Sequence, residues 1–363
     1  MFENAETPIL VLDRERLLAN AERMQQRAKA LGITLRPHFK TSKSVNVAEI
    51  ATAGRRSTLT VSTLKEAEAL AEAGYDDLLY AVGITPNKFA RVADIQARTG
   101  KQVILCVDSI EMARAVVAAL PQAPVMIEVD CGEHRGGIAS RAPEMIDIAR
   151  ALGEQFRGIM THAGHSYTTD QIDRVKEIAD AEASAAREAA ELLRAEGISV
   201  DTVSIGSTPT VLYADNLEGI TELRAGIYLF WDLAQFGRGM CALDDIAMSV
   251  LTTVIGHNRS AGVLTLDAGA LAMSKDIGAQ TFLPDAGYGW LCNADTMEPT
   301  GLRIDVVHQE HGTVKVRNEE DFERHPIGST VRVLPNHACL TAAGGYGCYH
   351  VTNGEIWPRV DGW

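Results

Sequence analysis

The sequence predicts an α/β fold, a (β/α)₈ TIM-like barrel joined to a second, C-terminal β-rich domain. From residue 34 to about 227, short apolar, β-branched runs alternate with long amphipathic segments. We count eight alternations, the number that a closed parallel barrel needs, whereas an open sheet usually has fewer. After about residue 240 the pattern changes to closely spaced alternating strands, which favours a separate β domain.

The predicted barrel strands are nearly continuous in apolar character, as strands buried on both faces should be. In order they are "TLRPHF", "TLTVST", "DLLYAV", "QVILCVD", "VMIEVD", "FRGIMTHA", "TVSIGS" and "ELRAGIY". Between them, segments such as "STLKEAEALAEAGYDD" repeat leucine and alanine at helical spacing and then meet a glycine. The longest is "TTDQIDRVKEIADAEASAAREAAELLRAEGI". We place the barrel at residues 15–240.

Residues 1–14 and 241–363 form the predicted β-rich domain. Its strand-like runs include "MSVLTTVIGH", "GVLTLDAGA", "LRIDVVHQEHGTVKV", "STVRVLPNHA" and "CYHVTNGEIWPRV". The last run contains Asn353 and Gly354, a dipeptide that strongly indicates a hairpin turn. The opening run "PILVLD" has no place in the eightfold count, so we assign it to this domain.

Composition excludes several classes of function. With 48 acidic against 34 basic residues, the 363-residue chain has a formal charge of -14, which argues against a general nucleic-acid surface. No run approaches the roughly 18 apolar residues of a membrane span, and "MFENAETPIL" lacks the regions of a signal peptide. Six scattered cysteines do not resemble a secreted disulfide scaffold. We expect a cytoplasmic protein with no nucleic-acid or membrane partner.

Polar clusters follow five of the predicted barrel strands. They are "RPHFK", "EVDCGEHRGG", "THAGHSY", "SIGSTPT" and "RAGIY". The C-terminal ends of barrel strands meet at one face, where barrel enzymes carry their active sites. The sequence therefore predicts a small-molecule site at the barrel mouth.

The segment "GSTPT" is a candidate phosphate site, because Gly206, Ser207 and Thr208 offer backbone N–H groups and hydroxyls after a strand. A turn that caps a helix is the alternative for an isolated motif of this kind. Gly226, which is followed by Ile227 and Tyr228, lies at the end of the adjacent strand. Late barrel strands often build phosphate sites together, which favours the first interpretation.

Lys40 ends the first barrel strand and has two interpretations. Most lysines are solvated surface charges. A lysine near a phosphate site can instead act as a Schiff-base nucleophile when neighbouring cations favour its neutral amine. Arg36, His38 and Lys43 are the candidate cations. Pyridoxal 5'-phosphate is the cofactor that needs both a lysine and a phosphate site.

Three further groups of residues have weaker signals. His162, which His165 follows closely, fits cofactor contact better than metal binding, because a glycine lies between them at a strand end. Arg135 is equally consistent with tuning the electronics of a cofactor ring and with a structural ion pair. The runs "QEHG" and "LDAGALAMSKD" are strand-end turns, or segments that reach the site across a subunit boundary.

His337 and Cys339 are two residues apart in "PNHAC", on what reads as a strand, so we expect both side chains on one face. Imidazole and thiolate together suit zinc. A packed histidine beside a buried thiol is the alternative. A catalytic metal could complete its coordination with water and substrate oxygens.

Several of these segments together resemble one family. "TPILVLD", "LRPHFKTSKS", "EVDCGEHRGG", "THAGHSY", "GSTPT", "RAGIYLFWD" and "VLPNHACLTA" resemble eukaryotic-type D-serine dehydratases and D-threonine aldolases, pyridoxal-phosphate enzymes of the alanine racemase fold. The resemblance extends from about residue 7 to residue 363. It implies that Lys40 binds the cofactor as a Schiff base, and that His337 and Cys339 hold a divalent metal. Zinc is the expected ion, with Mn²⁺ and Mg²⁺ as alternatives.

The resemblance also implies roles for other residues and a homodimer. The family's phosphate contacts correspond to Ser207, Thr208, Gly226 and Tyr228, while Arg135 and Tyr167 match positions near the pyridine ring. One position departs from the family pattern. Where the family often has Thr-His-Lys after the lysine, this chain has Thr41, Ser42 and Lys43. Substrate specificity therefore does not transfer directly.

The expected activity is dehydration of a D-3-hydroxy amino acid such as D-serine to a keto acid and ammonia. The alternative is an aldolase that cleaves such a substrate to glycine and an aldehyde. In the family, cysteine as the second ligand resembles the zinc dehydratases and aspartate the aldolases, so Cys339 favours dehydration. A racemase needs no metal. A pyridoxal-phosphate carrier typically lacks a second β domain, whereas this chain has about 120 residues of one.

Overall fold

The computed structural model describes residue 2 and residues 5–363. Its strands, in chain order, are β1 (Ile9–Leu12), β2 (Thr34–Pro37), β3 (Ser57–Val61), β4 (Asp76–Tyr80), β5 (Val103–Val107), β6 (Val125–Asp130), β7 (Ile138–Ala139), β8 (Phe156–Thr161), β9 (Thr202–Ile205), β10 (Glu222–Ala225), β11 (Met248–Asn258), β12 (Val263–Leu266), β13 (Trp290–Asn293), β14 (Pro299–Arg303), β15 (Val306–Val307), β16 (Gly312–Lys315), β17 (Thr330–Leu334), β18 (Cys348–Val351) and β19 (Ile356–Pro358).

The helices in the same residues are α1 (Arg14–Leu31), α2 (Val45–Ala51), α3 (Leu64–Glu72), α4 (Phe89–Thr99), α5 (Ile110–Ala119), α6 (Glu144–Leu152), α7 (Ile172–Ala195), α8 (Thr208–Tyr213), α9 (Leu233–Gly237), α10 (Ala270–Met273), α11 (Glu319–Arg324) and α12 (Ala338–Ala342). No helix in this part of the chain is both long enough and apolar enough to cross a membrane.

One sheet is a parallel barrel. Its strands are ordered β2-β10-β9-β8-β6-β5-β4-β3, and a parallel bridge from His38 to Thr60 connects the end of β2 to β3. The short strand β7 pairs with β6 outside this path. These barrel strands lie in the eight predicted runs, so the predicted fold class is confirmed.

Local signals in the sequence explain where several barrel helices begin and end. The Thr63 hydroxyl accepts a hydrogen bond from the Glu66 N–H at 3.1 Å at the start of α3, and Ser109 does the same for Met112 at 3.3 Å in α5. Such caps satisfy N–H groups that have no partner inside the helix. α4 ends at Gly100, whose φ of 68° is in the left-handed region.

Buried polar groups occupy part of the barrel interior. The guanidinium of Arg36 lies 2.7 Å from the Glu222 carboxylate and 2.9 Å from that of Asp77. Arg36 is therefore engaged with two carboxylates, and its action as a cation on Lys40 stays a prediction. An apolar cluster of Leu79, Cys106, Met126 and Met160 packs neighbouring strands together.

The second sheet is mainly antiparallel and has the order β14-β13-β17-β11-β1-β18-β19, with β12, β16 and β15 branching from β11. β1, from the opening run, pairs antiparallel with β11 and parallel with β18. β18 and β19 form an antiparallel hairpin whose turn contains Asn353 and Gly354, so this turn prediction is confirmed. The Asn353 side chain accepts a hydrogen bond from the Glu355 N–H at 3.1 Å.

The chain divides into two compact units. The barrel unit comprises residues 22–40, 47–226 and 362–363. The sheet unit comprises the described part of residues 1–21, together with residues 41–46 and 227–361. The domain limits expected from the sequence, 15–240 for the barrel and 1–14 with 241–363 for the β-rich domain, stay a prediction.

Candidate active site

Lys40 lies directly after β2, in a 3₁₀ turn that spans Phe39–Thr41, and its side chain is exposed. Its backbone N–H donates a hydrogen bond to Nδ1 of His38 at 3.3 Å. The predicted role of His38 as a cation beside Lys40 stays a prediction. The His38 N–H donates to the Ala225 carbonyl at 2.7 Å, which joins the ends of β2 and β10.

His162 lies directly after β8, and its Nδ1–H donates to the Gly206 carbonyl at 2.8 Å. Burial, and then the positive charge of Lys40, lower the pKa of His162 to about 3. The ring is consequently neutral at physiological pH, with its second nitrogen Nε2 unprotonated. The positive charge of Lys40 thus acts on His162, while a cofactor contact shared by both stays a prediction.

The loop after β9 can be built only with glycine at position 206. Gly206 has φ +139°, and a Cβ there would lie 2.2 Å from the carbonyl oxygen of Arg224. Ser207 then caps α8, and its side chain forms a reciprocal capping box with Thr210. The helix-cap interpretation of "GSTPT" is therefore correct for this turn, whether or not the loop also binds phosphate.

Polar groups from three neighbouring segments meet at this cap. The hydroxyls of Ser207 and Ser166 hydrogen-bond at 2.8 Å. The Thr208 N–H donates to the Tyr167 hydroxyl at 3.3 Å, and the Gly226 N–H donates to the Thr208 hydroxyl at 3.2 Å. Four of the predicted cofactor contacts thus lie in two adjacent hydrogen-bonded groups, Ser207 with Ser166 in one and Thr208 with Tyr167 and Gly226 in the other.

Two of the N–H groups predicted for a phosphate already have partners inside the protein. The Gly206 N–H donates to the Glu182 carboxylate at 2.9 Å, and the Ser207 N–H donates to the Thr210 hydroxyl at 3.1 Å. An anion at this loop would therefore depend mainly on the Ser207 and Thr208 hydroxyls and on the longer N–H bonds of Thr208 and Gly226.

Tyr228 provides a direct test of fit for a phosphate group. It lies with Ile227 in the buried 3₁₀ turn Ile227–Leu229 of the sheet unit. Its hydroxyl is completely buried and has no hydrogen-bond partner in the described residues, and burial raises its pKa well above the usual value. A buried hydroxyl without a partner is costly. A phosphate oxygen would supply the missing acceptor, so this residue fits the implied cofactor.

Arg135 lies in the exposed loop after β6. Its guanidinium is 3.5 Å from the Glu133 carboxylate, and 58% of its side chain is exposed. Its positive charge also contributes to the lowered pKa of His162. The ion pair is present, while contact with a cofactor ring stays a prediction.

The candidate metal ligands lie in the sheet unit, and their predicted position on a strand is wrong. β17 ends at Leu334, His337 is the N-cap of α12, and Cys339 lies in its first turn. The physical reason is a cap from a distant residue. The buried carboxylate of Asp232 accepts a hydrogen bond from the Ala338 N–H at 2.9 Å, which holds the chain in a helical turn.

The helical turn nevertheless keeps His337 and Cys339 in contact. Burial lowers the pKa of His337, but hydrogen bonds from its ring to Asp276 and Cys339 raise it to about 11. Nδ1 of His337 is 2.7 Å from Oδ2 of Asp276, so the second ring nitrogen, Nε2, is the one that could bind a metal. The Thr41 hydroxyl lies 3.2 Å from the Cys339 sulfur.

This donor set fits a catalytic metal rather than a closed structural site. Among residue 2 and residues 5–363, no group of three or more histidine, cysteine, aspartate or glutamate side chains could hold a metal ion. Structural zinc usually has four protein ligands, whereas catalytic zinc leaves a position for water or substrate. His337 is 38% exposed, so its ring is accessible.

Ser42, the position that departs from the family pattern, is buried in the sheet unit. Its carbonyl accepts a hydrogen bond from the Tyr349 hydroxyl at 2.7 Å, and Tyr349 packs edge-on against Phe230 with ring centroids 5.6 Å apart. The departure thus lies in packed interior.

The runs "LDAGALAMSKD" and "QEHG" lie beside each other. The N–H of Ala270, in "LDAGALAMSKD", donates to the carbonyl of His308 at 2.7 Å, directly before "QEHG". Gly269 allows this approach, because a Cβ there would lie 2.5 Å from backbone atoms of His308, Gln309 and His311. The first run also supplies Asp276, the partner of His337.

Two family models match the chain, "Alanine racemase, N-terminal domain" over residues 12–233 and "Putative serine dehydratase domain" over residues 247–352. D-threo-3-hydroxyaspartate dehydratase of Delftia sp. (strain HT23) is 41% identical, with 99% of this chain and 98% of the relative aligned. D-serine dehydratase of Dictyostelium discoideum is 34% identical over 98% and 95%. 3-Hydroxy-D-aspartate aldolase of Paracoccus denitrificans (strain Pd 1222) is 31% identical over 97% and 91%.

Solved structures agree with these relatives. D-threo-3-hydroxyaspartate dehydratase from Delftia sp. HT23 superposes with a TM-score of 0.94 at 40% identity, covering 100% of this chain and 99% of that one. A cysteine-to-alanine variant of a D-threo-3-hydroxyaspartate dehydratase, described as in the metal-free form, superposes with a TM-score of 0.95 at 40% identity and the same coverage.

Proposed function

This chain belongs to the alanine racemase-fold family of D-serine dehydratases and D-threonine aldolases, and from that premise we propose that it is a pyridoxal-phosphate- and zinc-dependent dehydratase of a D-3-hydroxy amino acid. The substrate would lose water, and the resulting enamine would tautomerise and hydrolyse to a keto acid and ammonia. D-Serine is the first candidate, and D-threo-3-hydroxyaspartate is the second because the 41% identical relative is named for it. The contact of His337 with Cys339 is the observation that carries the proposal.

Residues of several segments would hold the cofactor. Lys40 would anchor it covalently, while Ser207, Thr208, Gly226 and Tyr228 would bind its phosphate. The buried, unpartnered hydroxyl of Tyr228 supports this assignment. His38, Arg135, His162, Tyr167, Gly206 and Ile227 would contribute the remaining contacts. When bound, pyridoxal phosphate supplies a sink for the electron pair that is left when the α-proton departs.

Lys40 would also carry the proton in the first chemical step. When it is not bonded to the cofactor, the Nζ amine is a base of suitable type for the α-proton. His162 cannot compete for that proton near neutral pH, because its pKa is lowered to about 3. Its Nδ1–H would instead keep the strand end and the Gly206 loop joined.

The metal would be held by Nε2 of His337 and Sγ of Cys339. Asp276 occupies the other ring nitrogen and so fixes the orientation of the imidazole. Thiolate favours zinc over magnesium or manganese. When bound, zinc supplies a Lewis acid that makes the 3-hydroxyl of a substrate a better leaving group.

An aldolase that uses the same residues is the competing function, and the 31% identical relative named as an aldolase is the observation that favours it. In that reaction the 3-hydroxyl loses a proton and the Cα–Cβ bond breaks, giving glycine and an aldehyde. Cys339 supports dehydration, because thiolate favours zinc and a cysteine as second ligand resembles the zinc dehydratases of the family.

Product analysis distinguishes the two activities. Purified protein with pyridoxal phosphate would be incubated with D-serine, D-threo-3-hydroxyaspartate or D-threonine, with and without a chelator. A dehydratase gives pyruvate from D-serine or oxaloacetate from the hydroxyaspartate, plus ammonia, and loses activity with chelator. Glycine and acetaldehyde from D-threonine, without pyruvate from D-serine or oxaloacetate from the hydroxyaspartate, would show that the protein is an aldolase and contradict the proposal.

We also infer a homodimer. Leu271, Ile277 and Leu340 are 57%, 50% and 47% exposed, and they lie close in sequence to the metal-site residues Asp276 and Cys339. Exposed large apolar side chains of this kind are typical of protein interfaces. Light scattering coupled to size-exclusion chromatography should give twice the chain mass of 39.2 kDa, and a monomer at micromolar concentration would contradict the inference.

A further inference from the structure

Glu182 is a fully buried carboxylate at the middle of α7. It accepts three hydrogen bonds, all from neutral donors. Oε1 accepts from the Thr161 hydroxyl at 2.9 Å and from the Gly206 N–H at 2.9 Å. Oε2 accepts from the Thr210 hydroxyl at 2.8 Å. A buried carboxylate is costly unless such donors compensate it, so this side chain is tightly held.

The three donors come from three different segments around the predicted phosphate loop. Thr161 ends β8, directly before His162. Gly206 begins the loop after β9, and Thr210 lies in the first turn of α8. One side chain of α7 therefore connects the strand end that carries His162 with both sides of Ser207.

The contact with Glu182 also sets the direction of the hydrogen bonds that reach Ser207. The Thr210 hydroxyl donates its proton to Glu182 at 2.8 Å. The Thr210 oxygen then accepts from the Ser207 N–H at 3.1 Å and has no proton left for the Ser207 oxygen, which lies 3.1 Å away. The Ser207 hydroxyl is therefore the donor toward Thr210, and it can donate instead to Ser166 at 2.8 Å or to an anion.

We propose that Glu182 is a positioning residue for the phosphate end of the cofactor, acting through Gly206, Thr210 and Ser207. This inference rests on the proposed function, because it takes the bound anion to be the phosphate of pyridoxal phosphate. Glu182 does not touch the cofactor. It holds the Gly206 amide inward, in the backbone conformation that only glycine adopts easily, and it leaves the Ser207 hydroxyl as a donor.

Glu182→Gln tests this role because it keeps the shape of the side chain and removes the charge. The amide must present its NH₂ group either to Thr210 or to both Thr161 and Gly206, so either the Thr210 hydroxyl reverses or the Gly206 contact is lost. The dissociation constant for pyridoxal 5'-phosphate should rise about tenfold, since charge-assisted hydrogen bonds set the loop. The constant for pyridoxal, which has the same ring and aldehyde but no phosphate, should change less than twofold. Both constants come from absorbance titration of the full-length protein after removal of cofactor.

Glu66→Gln is the matched control. Glu66 is also a fully buried glutamate on a barrel helix, α3, and its carboxylate accepts from the Ser62 N–H at 2.7 Å and the Ser62 hydroxyl at 2.9 Å. Its partner Ser62 follows β3, a different strand from those that carry His162 and Gly206. Neither dissociation constant should therefore change more than twofold.

Variants of Thr210 provide a second test if Glu182→Gln does not fold. Thr210→Val removes the hydroxyl that joins Glu182 to Ser207 and should reduce the preference for the phosphorylated aldehyde. Thr210→Ser keeps the hydroxyl and should retain that preference. If Glu182→Gln and Thr210→Val weaken the binding of both aldehydes equally, or weaken the binding of neither, the inference is overturned. Wild-type protein that binds neither aldehyde would overturn the proposed function, and this inference with it.

Discussion

Nδ1 of His337 lies 2.7 Å from Oδ2 of Asp276, and the hydrogen bond between them lowers the pKa of Asp276. Such a carboxylate orients a metal-binding imidazole and makes it a better ligand. Asp276→Asn should therefore weaken zinc binding by about 10- to 100-fold. Competition with a chromophoric chelator measures the change. Asp295→Asn, at an exposed position of the same unit, is the control and should bind zinc as the wild type does.

Lys40→Ala should abolish the absorption band of covalently bound pyridoxal phosphate and lower turnover by roughly 10²–10⁴-fold, the usual contribution of a general base. Lys43→Gln removes a cation three residues away and should retain the band. Equal cofactor spectra for the wild type and Lys40→Ala would contradict the proposed anchor.

Cys339→Asp replaces a soft ligand with a hard one, so metal preference should move from zinc toward manganese or magnesium. We expect the purified variant to retain as little as about a tenth of the wild-type zinc after dialysis, because a tenfold weaker site lowers the occupancy by up to tenfold. Elemental analysis measures this. Unchanged zinc content would show that the Cys339 sulfur is not a ligand.

Tyr228→Phe separates a phosphate contact from an unused buried hydroxyl. Removing an unpartnered buried hydroxyl should stabilise the cofactor-free protein by about 1–3 kcal/mol. If the hydroxyl binds phosphate, the same variant should bind pyridoxal phosphate about tenfold more weakly. Thermal unfolding with and without cofactor measures both effects. If Tyr228→Phe stabilises the protein equally with and without cofactor, the Tyr228 hydroxyl does not contact the phosphate.

The sheet unit should lose stability in acid through Asp321. Hydrogen bonds from Arg317 lower the pKa of Asp321 from 3.8 to about 2. The pair therefore stabilises the folded state above about pH 4, and this contribution is lost as the pH falls toward 2. Arg317→Gln should lower the unfolding midpoint by roughly 2 °C or more at pH 6 and by less at pH 3. The same difference at both pH values would contradict this account.

Much of the fold was predictable because its signals are local. Each barrel strand is a compact apolar run, and residues such as Ser109 mark helix starts within a few positions of the helix they cap. The hairpin at Asn353 is equally local. The residues at strand ends were predictable as a group, because parallel strands necessarily end at one face of a barrel.

Other features depend on residues that are far apart in the sequence. His337 and Cys339 were expected on a strand, and only the carboxylate of Asp232 converts that segment into a helical turn. Arg36 was expected to act on Lys40, but Asp77 and Glu222 bind its guanidinium. Asp276 ends the run "LDAGALAMSKD", but no residue near it in the sequence indicates that it contacts His337. Glu182 sits in a helix of ordinary composition and gave no local signal.

The position of β1 has a consequence for the order in which the protein can fold during synthesis. Leu10 pairs with Val250 on one side and with Tyr349 on the other. A ribosome therefore releases nearly the whole chain before this strand acquires its second neighbour, whereas the barrel strands are all synthesised earlier. Until then the apolar segment "ILVL" has an unpaired edge, the kind of surface that chaperones cover and that aggregates when left exposed.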